Sequence, residues 1–145
     1  MFAKTLNVVT KFTMNANFQH SDITSEIIKA YFLVYNKLGY GFLERVYEKS
    51  LLIELRKLGL NCRSQIPIKV FYDFQEVGYY IADIIVNDWV IVETKAAEIL
   101  CEDHEAQLTN YLKASNIEVG MLLNFGKKAE FKRKVFSIEF KKLHS

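Results

Sequence analysis

Apolar residues recur every three or four positions in two segments of the first half of the chain, which is the spacing of one face of an α-helix. The segments cover residues 23–38 and 42–58, and their apolar positions are Ile27, Tyr31, Val34, Tyr35 and Leu38 in the first and Leu43, Tyr47, Leu51, Leu55 and Leu58 in the second. Gly39 and Gly59 follow the two segments, and glycine commonly ends a helix. The pattern predicts two amphipathic helices.

Alternation of apolar and polar residues then replaces the helical spacing, which indicates β-strands. The further predicted elements are strands at 66–73, 77–86 and 89–94, a helix at 102–115, a strand at 117–125, a turn at 126–132 and a strand at 133–140. Asn87-Asp88 forms a tight turn between the second and third strands. The order α-α-β-β-β-α-β-β predicts an α+β fold, an α/β sandwich in which helices flank a mixed central sheet.

Length and composition indicate one globular domain, since the chain has 145 residues of which 50% are hydrophobic and 25% are charged. We expect this domain at residues 21–145, after a flexible N-terminal extension at residues 1–20 in which Met14 is a second candidate start. No apolar run approaches the roughly 20 residues of a membrane span, so no membrane partner is expected. Cys62 and Cys101 lack metal-site spacing, which favours a reducing, cytoplasmic location.

Positive charge is concentrated near the C-terminus, although the net charge of the chain is only +2. Residues 120–145 carry seven Lys or Arg against Glu130 and Glu139, which gives a local balance of +5 against −3 for residues 1–119. Such a basic segment could bind the phosphates of a nucleic acid. Its candidate residues are Lys127, Lys128, Lys132, Arg133 and Lys134. The alternative is a solvated surface whose lysines protect the edge of the sheet.

Two carboxylates and a lysine interrupt the apolar strands around the Asn87-Asp88 turn. Asp83 lies within one strand, and Glu93 and Lys95 lie two positions apart near the end of the next, so they share a face. Paired strands are roughly 4.8 Å apart, so both carboxylates could converge on one hard cation. Mg²⁺ suits such a site because it binds one or two carboxylates and accepts phosphate oxygens. The alternative is that this face of the strands is exposed to water.

The second and third helices supply further polar candidates. The helical stripe that contains Leu51 also carries Glu44, Tyr47 and Glu48. We therefore expect Glu44 and Tyr47 near the buried side, where a carboxylate needs a partner. Gln107 and Tyr111 share a face of the third helix, so the amide would point at the sheet. The alternatives are a surface ion pair for Glu44 and a solvated amide for Gln107.

Taken in order, these motifs resemble the PD-(D/E)xK phosphodiesterase superfamily, which includes restriction enzymes, Holliday-junction resolvases and repair nucleases. The matching segments are "GFLERVYEKSLLIELRKLGL", "YYIADIIVNDWVIVETKA", "HEAQLTNYLKAS" and "VGMLLNFG". More closely, Gly41-x-x-Glu44-x-x-Tyr47 resembles the prokaryotic GxxExxY family of that superfamily. The resemblance covers about residues 22–126 and implies a restriction-endonuclease-like αβββαβ core.

The resemblance also implies a role for each candidate residue. Asp83 and Glu93 would bind the metal, with Glu44 as a further carboxylate ligand, and Lys95 would be the lysine of the ExK motif. The implied catalytic set is Glu44, Asp83, Glu93, Lys95 and Gln107, with Tyr47 and Tyr111 in support. One departure from the superfamily pattern is Ala82, which stands where many members have proline before the aspartate.

The implied function is metal-dependent phosphodiester hydrolysis by a nuclease that acts on DNA or RNA, with Mg²⁺ or Mn²⁺ as cofactor. We expect a nucleic acid as partner, DNA in preference to RNA, and association as a homodimer stays open. The alternative is a non-catalytic module that binds nucleic acid or protein and keeps the nuclease fold.

Overall fold

Helices and strands follow one another in the predicted order in the computed structural model, which describes residues 20–141. They are α1 (Ser21–Leu38), α2 (Glu44–Lys57), β1 (Cys62–Tyr72), β2 (Gln75–Val86), β3 (Val90–Lys95), α3 (Glu102–Ala114), β4 (Val119–Phe125) and β5 (Ala129–Val135), and a short 3₁₀ helix at Ile138–Phe140. The predicted N-terminal extension, His20 excepted, lies outside the described residues. None of the helices in this described part has the length and the apolar character of a membrane span.

The five strands form one sheet in the order β1-β2-β3-β4-β5. β3 and β4 are parallel, and the other neighbours are antiparallel. The hairpin turns at Asp73-Phe74 and Asn87-Asp88 have positive φ at all four residues, which matches the twist of the strands they join. The parallel pair is joined through α3, because parallel strands need a crossover. The predicted α+β sandwich with a mixed sheet is confirmed.

Both faces of the sheet are covered by helices. Successive side chains of β3 point to opposite faces, so Val90 and Val92 pack with α1 and α2 whereas Ile91 packs with α3. All seven residues of β4 are buried, which makes the β3–β4 pair the centre of the sheet. α3 lies close to the sheet because Leu108 packs on Gly120, where a Cβ atom would lie 2.7 Å from Leu108 Cδ1.

The last strand differs from its prediction. The sequence predicts a turn at 126–132 and a strand at 133–140, whereas β5 already begins at Ala129, which pairs with Phe125. The alternation in 133–140 is typical of a strand, but β5 can form ladder hydrogen bonds only where β4 lies beside it. The pairing therefore ends at Val135 opposite Val119, the first residue of β4.

Candidate active site

β2 and β3 stop pairing at the two predicted metal ligands. The last regular pair is Ile84 with Val92, and the next residues along are Asp83 and Glu93. The backbone N–H of Asp83 donates to Glu93 Oε1 at 2.9 Å, and the backbone N–H of Thr94 donates to Asp83 Oδ2 at 2.8 Å. Each carboxylate accepts a hydrogen bond that a carbonyl would accept in a regular ladder. The structure thus brings Asp83 and Glu93 together at a fork between the strands.

Burial of Glu93 gives this fork its electrostatic character. The side chain is 3% exposed, and burial is the largest of the causes that raise its pKa to about 8. The neighbouring Asp83 carboxylate raises the pKa further, whereas the Asp83 N–H and the charge of Lys95 oppose the shift. A second full negative charge is therefore unfavourable at the fork unless a cation accompanies it.

Gln65 of β1 interrupts the sheet on the other side of Asp83. The regular β1–β2 pairing omits Gln65 and Asp83, and Gln65 has a φ of 54°. This left-handed conformation costs free energy for a residue with a Cβ atom, and such strain is concentrated at functional sites. The Gln65 amide Nε2 donates to Glu48 Oε1 at 2.7 Å. The strained residue thus binds a carboxylate of α2.

Glu48 is the α2 carboxylate that interacts with the fork. It is half-buried, and burial followed by the charge of Asp83 raises its pKa against the opposing Gln65 hydrogen bond. Glu48 in turn contributes to the raised pKa of Glu93. Sequence reasoning missed this residue, although Glu48 lies on the same helical stripe and only three positions before Leu51.

Glu44 lies one turn earlier, at the first residue of α2, and is exposed. It lines a cleft of about 440 Å³ together with Glu48 and Gln65. The expectation that Glu44 lies near the buried side is wrong. Glu44 is the first residue of α2, seven positions before Leu51, and the buried part of the helix begins only at Tyr47.

Lys95 is held by a residue of α3. Its Nζ donates to Gln107 Oε1 at 2.9 Å, and Gln107 lines the same pocket as Tyr111. Burial, followed by the charges of Glu93 and Asp83, raises the pKa of Tyr111 to about 12. The phenol therefore stays neutral at physiological pH. The structure brings Lys95, Gln107 and Tyr111 together beside the two carboxylates.

Tyr47 contacts the loop before α2. Its buried hydroxyl donates to the carbonyl of Gly39 at 2.6 Å and accepts from the N–H of Phe42 at 3.1 Å. The ring stacks on Phe125 with centroids 4.4 Å apart. Tyr47 therefore fixes the loop that leads into α2 and anchors the helix on the sheet.

Asn124 fixes the chain that follows Lys95, and sequence reasoning missed it. The side chain is fully buried and makes two hydrogen bonds to the backbone of Ala97, one with the N–H and one with the carbonyl, both at 2.9 Å. Gly126 allows this close contact, since a Cβ atom there would lie 2.0 Å from the Ala97 carbonyl oxygen. The available signal was a lone amide within the apolar run of β4, because buried polar residues are uncommon.

The predicted nucleic-acid-binding residues fall into two groups. Lys127 and Lys128 follow β4 at the end of the sheet that carries Lys95, which is opposite Asn124. The others lie farther along β5, and their ladder partners are Leu122 for Lys132, Met121 for Arg133 and Gly120 for Lys134. Lys134 also forms an ion pair with Glu105 of α3 at 2.5 Å. The structure does not gather the five into one patch beside the fork.

The donor set at the fork suits a magnesium-like ion. Within residues 20–141, no group of three or more His, Cys, Asp or Glu side chains is arranged to hold a metal. Mg²⁺ does not need such a group, because it binds one or two carboxylates and completes its octahedron with water and substrate oxygens. Asp83 and Glu93 supply two carboxylates, and a cation would relieve the repulsion that raises the pKa of Glu93. The residues present therefore fit the ion.

The raised pKa of Glu93 makes metal-free stability dependent on pH. The raised pKa lets the folded protein retain the Glu93 proton up to about pH 8, whereas the unfolded chain loses it near the ordinary glutamate pKa of 4.5. The free energy of unfolding should therefore fall as pH rises through this window, by about 1.4 kcal/mol for each unit of pKa difference. Thermal unfolding in EDTA should show a melting temperature that declines from pH 5 to pH 8, and Glu93→Gln should flatten this decline.

Glu98→Gln, the same change at an exposed position, serves as the matched control and should keep the wild-type decline. If Glu93→Gln and Glu98→Gln both show the wild-type dependence of melting temperature on pH, ionisation of Glu93 does not destabilise the folded protein and the assignment is wrong.

A family model for the PD-(D/E)XK nuclease superfamily matches residues 21–134. The crystal structure of SSO0001 has a similar fold, with a TM-score of 0.55 at 15% sequence identity, and the match covers 66% of this chain and 51% of that one. This chain thus spans about half the length of that protein, and at such identity the likeness concerns the fold alone. No curated protein matches the sequence significantly.

The family match includes α1 to β4 and nearly all of β5, so it contains the fork, Lys95 and the helices that hold them. It agrees with a five-stranded mixed sheet between helices, the restriction-endonuclease-like arrangement predicted above. The chain belongs to the PD-(D/E)XK nuclease superfamily.

Proposed function

We propose that this protein is a nuclease that hydrolyses phosphodiester bonds of a nucleic acid with Mg²⁺ or Mn²⁺ bound by Asp83 and Glu93. Membership of the nuclease superfamily supports phosphodiester hydrolysis. The observation that carries the metal assignment is the pair of carboxylates at the fork, one of them 3% exposed and next to the other. A buried carboxylate beside a second carboxylate needs a cation or a proton.

We also propose that the chain belongs to the GxxExxY family. Each fixed position of that motif has a physical reason here. Gly41 has a φ of 110°, a conformation that strains any residue with a Cβ atom. Glu44 begins α2, and Tyr47 anchors the preceding loop through Gly39 and Phe42. The motif would thus fix the entry to the helix that carries Glu48.

The roles of the residues follow from their contacts. When bound, the ion supplies Lewis-acid stabilisation of charge on the scissile phosphate and makes a nearby water more acidic. Lys95, oriented by Gln107, places a positive charge beside the phosphate, where negative charge develops in the transition state. Tyr111 lies in the same pocket as Gln107, and its raised pKa keeps the phenol a neutral hydrogen-bonding group rather than a base.

Glu48 is the preferred candidate for the additional carboxylate of the site. It is half-buried and close enough to Asp83 for the two charges to interact, and a hydrogen bond from Gln65 fixes its orientation. Such a carboxylate can accept a proton or orient a water near the reacting phosphate. Glu44, exposed on the same cleft, would contribute through Glu48 or when a substrate covers the cleft.

The two basic groups are proposed to bind different parts of the nucleic acid. Lys127 and Lys128 are at the same end of the sheet as Lys95, so they suit contacts to phosphates near the cleavage point. Lys132, Arg133 and Lys134 on β5 would bind more distant parts of a longer substrate. The preference for DNA, a homodimer, a cytoplasmic location and a domain boundary at residue 21 stay predictions.

Asp83→Asn should abolish metal-dependent cleavage without unfolding the protein, because it keeps the shape of the side chain and removes one negative charge from the ion's ligands.

Lys95→Ala should slow cleavage about 100-fold or more while Mn²⁺ still raises the melting temperature, since the lysine acts on the phosphate. The measurement is cleavage of single-stranded, duplex and branched DNA and of RNA, with Mn²⁺. Asp88→Asn, the same change in the exposed turn, should cleave normally.

If the wild type cleaves none of these substrates and Asp83→Asn binds them as the wild type does, the catalytic proposal fails. The protein would then be a binding module with the nuclease fold.

Glu48→Gln and Glu44→Gln form a matched pair one helical turn apart. Glu48→Gln should lower the cleavage rate at limiting Mn²⁺ about tenfold, because its charge acts directly on Asp83 and Glu93. Glu44→Gln should change the rate less, because that side chain is exposed. Initial rates over a series of Mn²⁺ concentrations measure both. A larger loss in Glu44→Gln would contradict the assignment of Glu48.

A further inference from the structure

A pocket of about 250 Å³ lies between β2 and α3, next to the candidate active site. Its lining residues are Tyr80, Asp103, Ala106, Gln107, Asn110 and Tyr111. Tyr80 is 51% exposed, and its ring packs against that of Tyr111 with centroids 5.6 Å apart. The pocket therefore has an accessible aromatic wall with a buried aromatic behind it, and the roles assigned above do not use Tyr80.

The pocket is continuous with the group that holds Lys95. Gln107 lines the pocket and accepts the hydrogen bond from Lys95 Nζ at 2.9 Å. Tyr111 also lines it and is close enough to Glu93 and Asp83 for their charges to act on its hydroxyl. A substrate whose phosphate lies beside Lys95 therefore has this pocket within reach of the attached nucleotide.

The chemistry of the lining does not suit a phosphate. Among the described residues that line the pocket, none is lysine or arginine, and Asp103 carries the single charge, which is negative. The lining suits a planar group with polar edges instead. The ring of Tyr80 offers a stacking surface, and the amides of Gln107 and Asn110 offer hydrogen bonds to such edges.

We propose that this pocket binds an unpaired nucleobase next to the scissile phosphate, with Tyr80 as the stacking residue. The inference rests on the proposed nuclease function and adds a substrate class to it. A base inside a duplex is already stacked on both faces and paired at its edge, so it cannot enter the pocket. The preferred substrate is therefore single-stranded at this nucleotide, as in a free strand, an overhang or a flipped base.

The test compares binding of a labelled single strand with binding of the duplex of the same sequence, in EDTA so that no cleavage occurs. Tyr80→Ala should weaken binding of the single strand about tenfold and leave binding of the duplex unchanged, because base stacking on an aromatic ring is lost. Tyr80→Phe should restore binding, since the ring is kept. Fluorescence anisotropy gives the affinities, and circular dichroism verifies folding.

Tyr72→Ala is the matched control, because Tyr72 is 73% exposed on the same hairpin and does not line the pocket. It should bind both substrates like the wild type. The proposal is overturned if Tyr80→Ala binds the single strand as tightly as the wild type does, if it weakens duplex binding equally, or if Tyr72→Ala produces the same loss.

Cleavage by the wild type with Mn²⁺, measured in parallel, separates this inference from the proposed function. Normal cleavage without a selective loss in Tyr80→Ala overturns the base pocket and retains the nuclease. A selective loss without any cleavage retains the pocket as a single-strand binding site and overturns the nuclease. A wild type that binds neither substrate overturns the pocket as well.

Discussion

Two carboxylates that share a buried fork are the constraint on which the rest of this site depends. Asp83 and Glu93 occupy the point where β2 and β3 separate, and each accepts a backbone N–H from the opposite strand. These hydrogen bonds hold the oxygens in place, but they do not neutralise two charges in a poorly solvated position. Lys95 compensates only in part, since the pKa of Glu93 remains raised to about 8. The geometry thus favours an added cation.

Several departures from regular structure surround this fork and have a common consequence. Gln65 adopts a left-handed conformation within β1 and binds Glu48, and Asn124 uses both ends of its amide to hold Ala97. Each of these features fixes a segment next to one of the charged side chains. Local rules of strand structure are typically broken at functional sites, where the surrounding fold stabilises the exception. Here the two well-packed faces of the sheet provide that stabilisation.

The sequence was sufficient for features that depend on local periodicity and turn chemistry. Apolar spacing predicted α1 and α2, with Gly39 and Gly59 near their ends, and the Asn87-Asp88 turn predicted that Asp83 and Glu93 would meet. Strand boundaries that depend on pairing with a neighbouring strand could not be predicted from local sequence. β1 begins at Cys62 because it pairs to the end of β2 at Val86, and β5 is limited by the length of β4.

The candidate site shows the same division. Helical spacing placed Glu44 and Glu48 on one stripe, but only the packing of α2 on the sheet decides which of them reaches the fork. The strain at Gln65 depends on the neighbouring strands, and so does the contact between Asn124 and Ala97. For these features the sequence offers only one local signal, the lone amide of Asn124 in the apolar run of β4. The exposed ring of Tyr80 likewise becomes a candidate for base stacking only because the fold places it beside Tyr111 of α3.

The most direct test of the central claim is anomalous diffraction at the manganese edge from crystals of the full chain soaked in Mn²⁺. The account predicts an anomalous peak at about 2.1 Å from an oxygen of Asp83 and from an oxygen of Glu93. A map with manganese bound elsewhere and no peak between these two carboxylates would contradict it.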